Sequence, residues 1–404
     1  MTERLFTYFK NLDAKFLFLA LTLAVMPGLE APKNLFALLF VSSWFIIAIR
    51  AREWGGRWRL IDTIFLLWIL ADIAVGINAV IVHDQPANGS KDVIRFVLVG
   101  WAISRAGFTT QQMIHLSLVA IFFTIIPLAY SYLDLGRLGR PRLHSVGHIN
   151  HVAIYLLIVY IISLSLLIFN FKGIGNLARI FLIFTSVILA IAIVQTNSRA
   201  TSGLLVFITL AAIFYAIYLY RSWCVVTISA LFISIVLIVS VYNPPRVINK
   251  FFNGTSLVSD SPRQKIRNFA YYVFKIDPTL GVGMENFANF NHEHIKDLVV
   301  KDKGVYNQKK FRPFAHPHNV YLTYLAGGGL VLFSIFAWFW LEMANIANKM
   351  RGYANERWLM FGGVSVIVSV LAIGWVNTTL ANEHALIAML LLGFLISRYR
   401  EFTS

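Results

Sequence analysis

Twelve apolar segments follow one another along the chain and are separated by shorter polar stretches. Most of them reach about 20 residues, the length that an α-helix needs to cross the hydrocarbon core of a bilayer. Only the fourth segment, which carries Arg95, is clearly shorter. We therefore predict an all-α polytopic membrane protein with about 12 transmembrane helices. The predicted helices lie at residues 15–30, 34–49, 60–82, 91–104, 112–134, 149–171, 178–195, 202–220, 222–242, 319–346, 358–377 and 382–397.

A long polar segment interrupts this pattern between the ninth and the tenth apolar segments. Loops of such length between packed helices usually serve a function. Within the segment, Ser261-Pro262-Arg263-Gln264 predicts the start of a helix, with Ser261 as the N-cap and Pro262 at the first helical position. The chain is thus expected to have three parts: transmembrane helices 1–9 in residues 1–242, a large, partly helical loop domain in 243–318, and transmembrane helices 10–12 in 319–404.

The composition excludes a soluble globular protein. Hydrophobic residues make up 58% of the chain and charged residues 13%, whereas soluble domains carry about 25% charged residues. The formal net charge of +16 could point to nucleic acid, but the sequence has no basic stripe and no RNA-binding motif. The single cysteine, Cys224, excludes an internal disulfide and a multi-cysteine metal site. We expect membrane lipids, and no nucleic acid, among the partners.

The basic residues divide between the two sets of alternate loops. The set that contains both termini holds 16 Lys or Arg, whereas the short loops of the other set hold 6. Because basic loops stay in the cytoplasm, both termini are predicted to be cytoplasmic and residues 243–318 to lie outside. In a bacterial inner membrane, the outer side faces the periplasm. The 6 exceptions are Lys33, Lys91, Arg137, Arg140, Arg142 and Arg199.

Two external arginines lie where a cation is unfavourable. Arg199 follows the tight turn at 197–198 and falls in the first turn of the eighth span, and Arg263 falls in the first turn of the loop helix. A cation there faces the positive end of the helix dipole, which costs roughly 0.3–1 kcal/mol unless an anion is shared. Free N–H groups and guanidinium groups together favour a phosphate site. The alternatives are contacts with lipid headgroups and, for Arg263, an ion pair with Asp260.

Histidines cluster where the long loop re-enters the membrane, at His316-Pro317-His318-Asn319. A histidine in such a position can act as a general base, because its ordinary pKa lies near neutrality. The alternative is a histidine that only caps the helix or forms a hydrogen bond. A metal site built from His292, His294, His316 and His318 is not favoured, because no carboxylate stands at a recognisable ligand spacing.

These features resemble the bacterial O-antigen ligase family, whose members are polytopic and carry one large periplasmic loop late in the chain. Arg142 followed by Gly-His-Ile-Asn at 147–150 resembles an upstream periplasmic element of that family. Leu332 departs from the family pattern, in which a small residue is common. The other matching segments are Asn-Ser-Arg-Ala-Thr at 197–201, Arg263 ahead of an apolar helix, Asp-Pro-Thr-Leu-Gly-Val-Gly-Met-Glu-Asn-Phe at 277–287, and His318-Asn319 leading into a span with Gly329; together they cover residues 140–335.

The resemblance implies a GT-C-like membrane glycosyltransferase that works without cofactor or metal and inverts the anomeric centre. The implied donor is an O-antigen glycan on undecaprenyl pyrophosphate, and the implied acceptor is a sugar hydroxyl of lipid A–core in lipopolysaccharide biosynthesis. A pyrophosphate leaving group needs stabilisation of its charge rather than protonation, and arginines can supply it. No acidic residue of the external loops stands out as a nucleophile, although Asp260, Asp277 and Glu285 are open to that role.

Site roles follow from the same resemblance. Arg142, Arg199 and Arg263 are expected to bind the pyrophosphate, and Arg199 and Arg263 to act in catalysis together with His318 as the general base. The residues expected to support them are His316, Asn319, Asn150 and His148.

Two other functions stay open at this stage. An O-antigen polymerase would use the same donor with a second lipid-linked glycan as the acceptor, and the Arg and His motifs do not separate it from a ligase. A transporter of anionic lipid-linked glycans would need a polar path through the spans and usually internal repeats. No internal repeat is detected, and the arginines gather on one side of the membrane.

Overall fold

The computed structural model describes residues 13–133, 140–220, 262–314 and 317–403. Within these ranges the chain forms α-helices and short 3₁₀ turns and no strand. The α-helices are α1 (Ala14–Val25), α2 (Glu30–Ala51), α3 (Leu60–His83), α4 (Ser90–Arg105), α5 (Thr110–Leu133), α6 (Ile149–Phe169), α7 (Asn176–Gln195), α8 (Arg199–Tyr220), α9 (Pro262–Phe274), α10 (His292–Lys301), α11 (Val320–Lys349), α12 (Arg357–Gly374) and α13 (Asn382–Phe402).

The hydrophobic pattern predicted these helices well. Every predicted span except the ninth coincides with a helix, and the ninth, at 222–242, lies outside the described residues. Eight helices in the described part of the chain are long and apolar enough to cross a membrane. The prediction of an all-α, multi-pass membrane protein is thus confirmed, whereas the count of twelve spans stays a prediction.

The first predicted span extends beyond the helix that the structure contains. The sequence predicts a span over 15–30, but α1 ends at Val25 and is only 12 residues long. Pro27 and Gly28 follow directly. Because proline has no amide hydrogen, Pro27 cannot donate the next helical hydrogen bond, to the Leu23 carbonyl, and the helix ends just before it.

The centre of the bundle is α6. A helix that is hydrophobic on all sides is buried on all sides, and residues 152–166 of α6 are buried without exception. It packs against α5, α7, α8, α12 and α13, while α4 packs against α13 and α3 against α11. Consequently the first turn of α6 is held firmly next to the elements that carry the candidate site.

The loop domain has a small hydrophobic core of its own. The spacing of Ile266, Phe269, Ala270, Tyr272 and Val273 predicts one apolar face on the loop helix. In α9 all of these are buried except Tyr272, which is half-buried, and they pack with residues from the following segment up to α10. This face also contacts α11. The predicted N-cap Ser261 lies outside the described residues, and α9 begins at Pro262.

A kink in α11 ties the loop domain to the bundle. Gly329 has φ 61°, and a Cβ atom there would collide with the backbone of Thr279. Because the kink frees backbone amides, Leu330 N–H donates to the Pro278 carbonyl at 2.8 Å, and Val282 N–H donates back to the Ala326 carbonyl at 3.0 Å. Only glycine tolerates both this backbone conformation and this close approach. Through these bonds the kink holds loop residues 278–282 against α11, the helix that begins two residues after His318.

Candidate functional site

A cavity of about 250 Å³ lies where the loop domain meets the bundle. Its size is just below the lower end of ligand pockets, which range over roughly 300–1,000 Å³. Among the described residues, the wall contains three arginines and three asparagines and no acidic residue. The lining residues are Arg140, Asn150, Asn197, Ser198, Arg199, Ala200, Arg263, Ile373, Val376 and Asn377.

Arg199 enters the cavity from the start of α8. Asn197 takes the left-handed conformation with φ 60°, and the Ser198 carbonyl accepts the first helical bond, from Ser202 N–H at 2.9 Å. The hydroxyls of Ser198 and Thr201 also bond at 2.9 Å. The tight turn therefore places Arg199 in the first turn of the helix, as the sequence predicts, and turns it toward the loop domain.

Arg263 enters from the start of α9, on the other side of the same cavity. Partial burial and the positive charges of Arg199 and Arg267 lower the pKa of the Arg263 guanidinium. Arginine stays protonated in proteins, so this direction means that the cations repel one another. No carboxylate in the described ranges forms an ion pair with Arg140, Arg199 or Arg263. The cavity thus holds positive charge that this part of the chain leaves unbalanced.

The third guanidinium comes from Arg140 rather than from Arg142. Arg142 was predicted to bind the pyrophosphate, but it is not among the residues of the cavity wall. Its backbone N–H donates to the Ser131 hydroxyl at 2.6 Å, which fixes this loop to the end of α5. The Arg142 side chain instead acts on His148, because burial and the Arg142 charge lower the pKa of that imidazole.

His148 and Asn150 shape the start of α6. The His148 Nδ1 atom accepts the Asn150 N–H at 3.2 Å and so caps the helix. A neutral imidazole is required for this bond, which agrees with the lowered pKa of His148. Asn150 itself lines the cavity. Of these two predicted supporting residues, one reaches the cavity and the other orients it.

His318 is not among the residues that line the cavity. It adopts φ 51°, and its ring stacks on Phe314 with 5.2 Å between centroids. Asn319 caps α11 by accepting the Leu322 N–H at 2.9 Å. Its amide also donates to the Trp375 carbonyl at 3.2 Å. The predicted stand-in, His316, lies outside the described residues.

The Trp375 carbonyl connects the segments that carry His318 and Arg263. It accepts hydrogen bonds from Asn319 and from Arg267, one turn after Arg263 on α9. The next two residues, Val376 and Asn377, form part of the cavity wall. Sequence reasoning missed this turn, because its key acceptor is a backbone atom and residues 358–377 read as one apolar span.

The described residues contain no cluster of metal-ligating side chains. No group of three or more His, Cys, Asp or Glu side chains there is arranged to hold a metal ion. His292, one of the four histidines weighed above, bonds through Nδ1 to the Tyr306 hydroxyl at 2.8 Å.

Comparison with known proteins gives a family match for part of the chain. No curated protein matches the chain. Residues 184–337 match the model of the family described as O-Antigen ligase. The matched region contains Arg199, Arg263, His318 and the kink at Gly329, whereas Arg140 and Asn150 lie before it. The match over residues 184–337 supports a relationship between this part of the chain and the O-antigen ligase family.

Proposed function

We propose that the protein is an O-antigen ligase, which moves a glycan from undecaprenyl pyrophosphate to a sugar hydroxyl of lipid A–core. The observation that carries this proposal is the cavity in which guanidinium groups from three separate segments meet, with no acidic residue among the described residues of its wall. Such a cavity fits a ligand with several negative charges, and the diphosphate of a lipid-linked donor has this chemistry.

The diphosphate would bind to Arg140, Arg199 and Arg263. Arginine holds phosphate oxygens through two parallel N–H groups, so each side chain fixes orientation as well as charge. Arg199 and Arg263 also lie in first helical turns, where free backbone N–H groups favour an anion. As the bond to the sugar breaks, negative charge grows on the bridging oxygen. The guanidinium groups would stabilise this charge, so neither a metal ion nor a general acid is required.

His318 would take the proton of the acceptor hydroxyl as its oxygen attacks the anomeric carbon. A direct displacement of this kind inverts the anomeric centre. The competing two-step route would need a carboxylate nucleophile, and Asp277 is committed elsewhere. Its Oδ1 atom accepts the N–H groups of Thr279 and Leu280 at 3.1 Å each, and its Oδ2 atom accepts from Asn78 at 2.8 Å. Burial acts in the other direction, but these bonds hold the pKa of Asp277 below its ordinary value.

The proposed location is the bacterial inner membrane, with both termini in the cytoplasm and the cavity facing the periplasm. The distribution of Lys and Arg over the alternate loops supports this orientation. Arg140, Arg199 and Arg263 belong to three loops that this rule assigns to the same side. The donor would thus be reached from the outer leaflet, where its pyrophosphate lies near the headgroups.

The test is transfer by the purified protein in detergent, with undecaprenyl pyrophosphate-linked glycan as the donor. The two acceptors to compare are lipid A–core and a second molecule of lipid-linked glycan. We expect product with lipid A–core, at a rate that EDTA does not change. Product only with the lipid-linked acceptor would make the protein a polymerase. No product with either acceptor, but movement of the donor across a vesicle membrane, would favour a transporter.

A further inference from the structure

A second, smaller cavity lies beside the segment that carries His318. Its volume is about 40 Å³. Pro317 and Thr378 both line it, whereas Asn377 lines the arginine cavity. Two consecutive residues of one turn thus line the two cavities. The neighbouring segment, with His318 and Asn319, is bonded to the same turn through the Trp375 carbonyl.

The second cavity differs from the first in its chemistry. The described residues of its wall are mostly apolar and include two acidic side chains, Asp92 and Glu285, and no basic one. The Asp92 carboxylate pairs with the Arg95 guanidinium at 2.9 Å. Glu285 has φ 68°, a left-handed conformation that turns the chain at this point. A phosphorylated group would be repelled here, whereas a neutral hydroxyl group would find acceptors.

Thr378 gives independent reason to expect a ligand. Its side chain lines the cavity and is only 4% exposed, yet its Oγ1 atom has no hydrogen-bond partner among the described residues. Leaving a buried hydroxyl unpaired costs about 1–3 kcal/mol. The neighbouring Thr379, by contrast, donates from its hydroxyl to the Val370 carbonyl at 2.8 Å. Thr378 is thus poised to bond a polar group that enters from outside.

We propose that this second cavity is the acceptor subsite and takes one hydroxyl or hydroxymethyl group of an uncharged sugar. The inference rests on the proposed function. A displacement with inversion requires the attacking and leaving oxygens on opposite sides of the anomeric carbon. The second cavity is lined by Pro317, the neighbour of His318, and by Thr378, the neighbour of Asn377 in the arginine cavity. One water occupies about 30 Å³ of liquid, so a cavity of about 40 Å³ holds a single small group, with the sugar ring outside it.

The proposed reaction joins an acceptor hydroxyl in the second cavity to the sugar of the donor. The acceptor oxygen accepts a hydrogen bond from the Thr378 hydroxyl and forms a bond to the anomeric carbon, while the Glu285 carboxylate accepts from a second hydroxyl of the same sugar at the cavity mouth. The bond between that carbon and the phosphate oxygen breaks, and its electron pair leaves with undecaprenyl pyrophosphate. The acceptor proton passes to the His318 imidazole and from there to solvent.

The test compares Thr378→Val and Glu285→Gln with the wild-type protein. Valine keeps the shape of threonine and removes only the hydroxyl, so a fold that tolerates Thr379→Val should tolerate it as well. For each variant, the KM for lipid A–core, the KM for the donor, and donor hydrolysis without acceptor are measured. We expect the KM for lipid A–core to rise about 10-fold, as for the loss of one hydrogen bond. The KM for the donor and the rate of hydrolysis should not change.

Matched controls keep the result specific. Thr379→Val removes a hydroxyl that is bonded to the Val370 carbonyl, and Glu293→Gln removes an exposed carboxylate on α10. Neither should change the KM for lipid A–core. An unchanged KM in both test variants, with normal transfer by the wild type, would overturn the acceptor subsite and leave the proposed function intact. No transfer by the wild type with either acceptor would overturn both. If Thr378→Val does not fold, the KM of Glu285→Gln for lipid A–core alone tests the acceptor subsite.

Discussion

Two clusters of arginines show how the same side chain serves different purposes in this protein. In the first, Arg105 and Arg400 both bond to the carboxylate of Asp62, at the start of α3. Asp62 is 0% exposed and the Arg105 side chain 3% exposed, and the Trp101 indole donates to the same carboxylate at 2.8 Å. In the second, the cavity of Arg140, Arg199 and Arg263, no described carboxylate balances the charge.

The difference indicates what each cluster is for. Burying a charge is expensive unless it is paired and hydrogen-bonded, so the Asp62 cluster is complete within the chain and holds α3, α4 and α13 together. Cations placed together without an anion repel one another, and an anion from outside relieves the repulsion. An arginine that is paired with a carboxylate of the chain is thus expected to stabilise the fold, whereas an arginine without such a carboxylate is a candidate for binding an anion from outside.

The largest effect on stability should come from the complete cluster. Asp62→Ala leaves Arg105 and Arg400 buried without their shared anion, and breaking a buried pair in this way costs about 3–5 kcal/mol. We expect a marked fall in the unfolding temperature of the purified protein in detergent. Asp302→Ala is the control, because its partner Lys275 lies in an exposed pair and no measurable change is expected. Equal unfolding temperatures for Asp62→Ala and the wild type would contradict the structural role.

The cavity arginines should show the reverse behaviour. Arg199→Lys and Arg263→Lys keep the positive charge but lose the two-pronged geometry, so the transfer rate should fall about 100-fold, or about 2.7 kcal/mol in the barrier. The unfolding temperature should stay the same or rise, because repulsion between the cations is unchanged or relieved. Wild-type rates in both variants would show that the cavity does not hold the leaving group.

A smaller effect is expected for the link between the cavity and the His318 segment. Arg267→Ala removes one of the two hydrogen bonds to the Trp375 carbonyl, so the spacing of α9 and the α11 start is less well fixed. We expect about a 10-fold lower kcat with little change in the KM for the donor, since positioning rather than binding is lost. Partial recovery in Arg267→Lys would support a positioning role. A rise in the donor KM alone would instead make Arg267 a direct ligand.

Local features of the sequence were enough to predict the helices and parts of the site. The apolar segments have the length of membrane spans, and Pro262 and the turn before Arg199 mark helix starts that the structure contains. The end of α1 also follows from Pro27, which has no amide hydrogen to continue the helical hydrogen bonds.

The assembly of the site depends on contacts that the sequence does not encode locally. Arg199 and Arg263 are far apart along the chain, and only the docking of α9 on the kinked α11 brings them to one cavity. The choice of Arg140 over Arg142 depends on how the loop is anchored at Ser131. The Trp375 carbonyl is a backbone atom, and any residue at that position would supply it.

The central claim is that Arg140, Arg199 and Arg263 together bind a diphosphate. Its most direct test is titration of the purified protein in detergent with farnesyl pyrophosphate, a short prenyl pyrophosphate. The wild type is compared with each arginine replaced by lysine and with Arg142→Lys as the matched control from the same loop as Arg140. We predict a Kd at least about 10-fold higher for the three cavity variants and an unchanged Kd for Arg142→Lys. Equal Kd values for all the proteins, or a loss of binding only in Arg142→Lys, would contradict the claim.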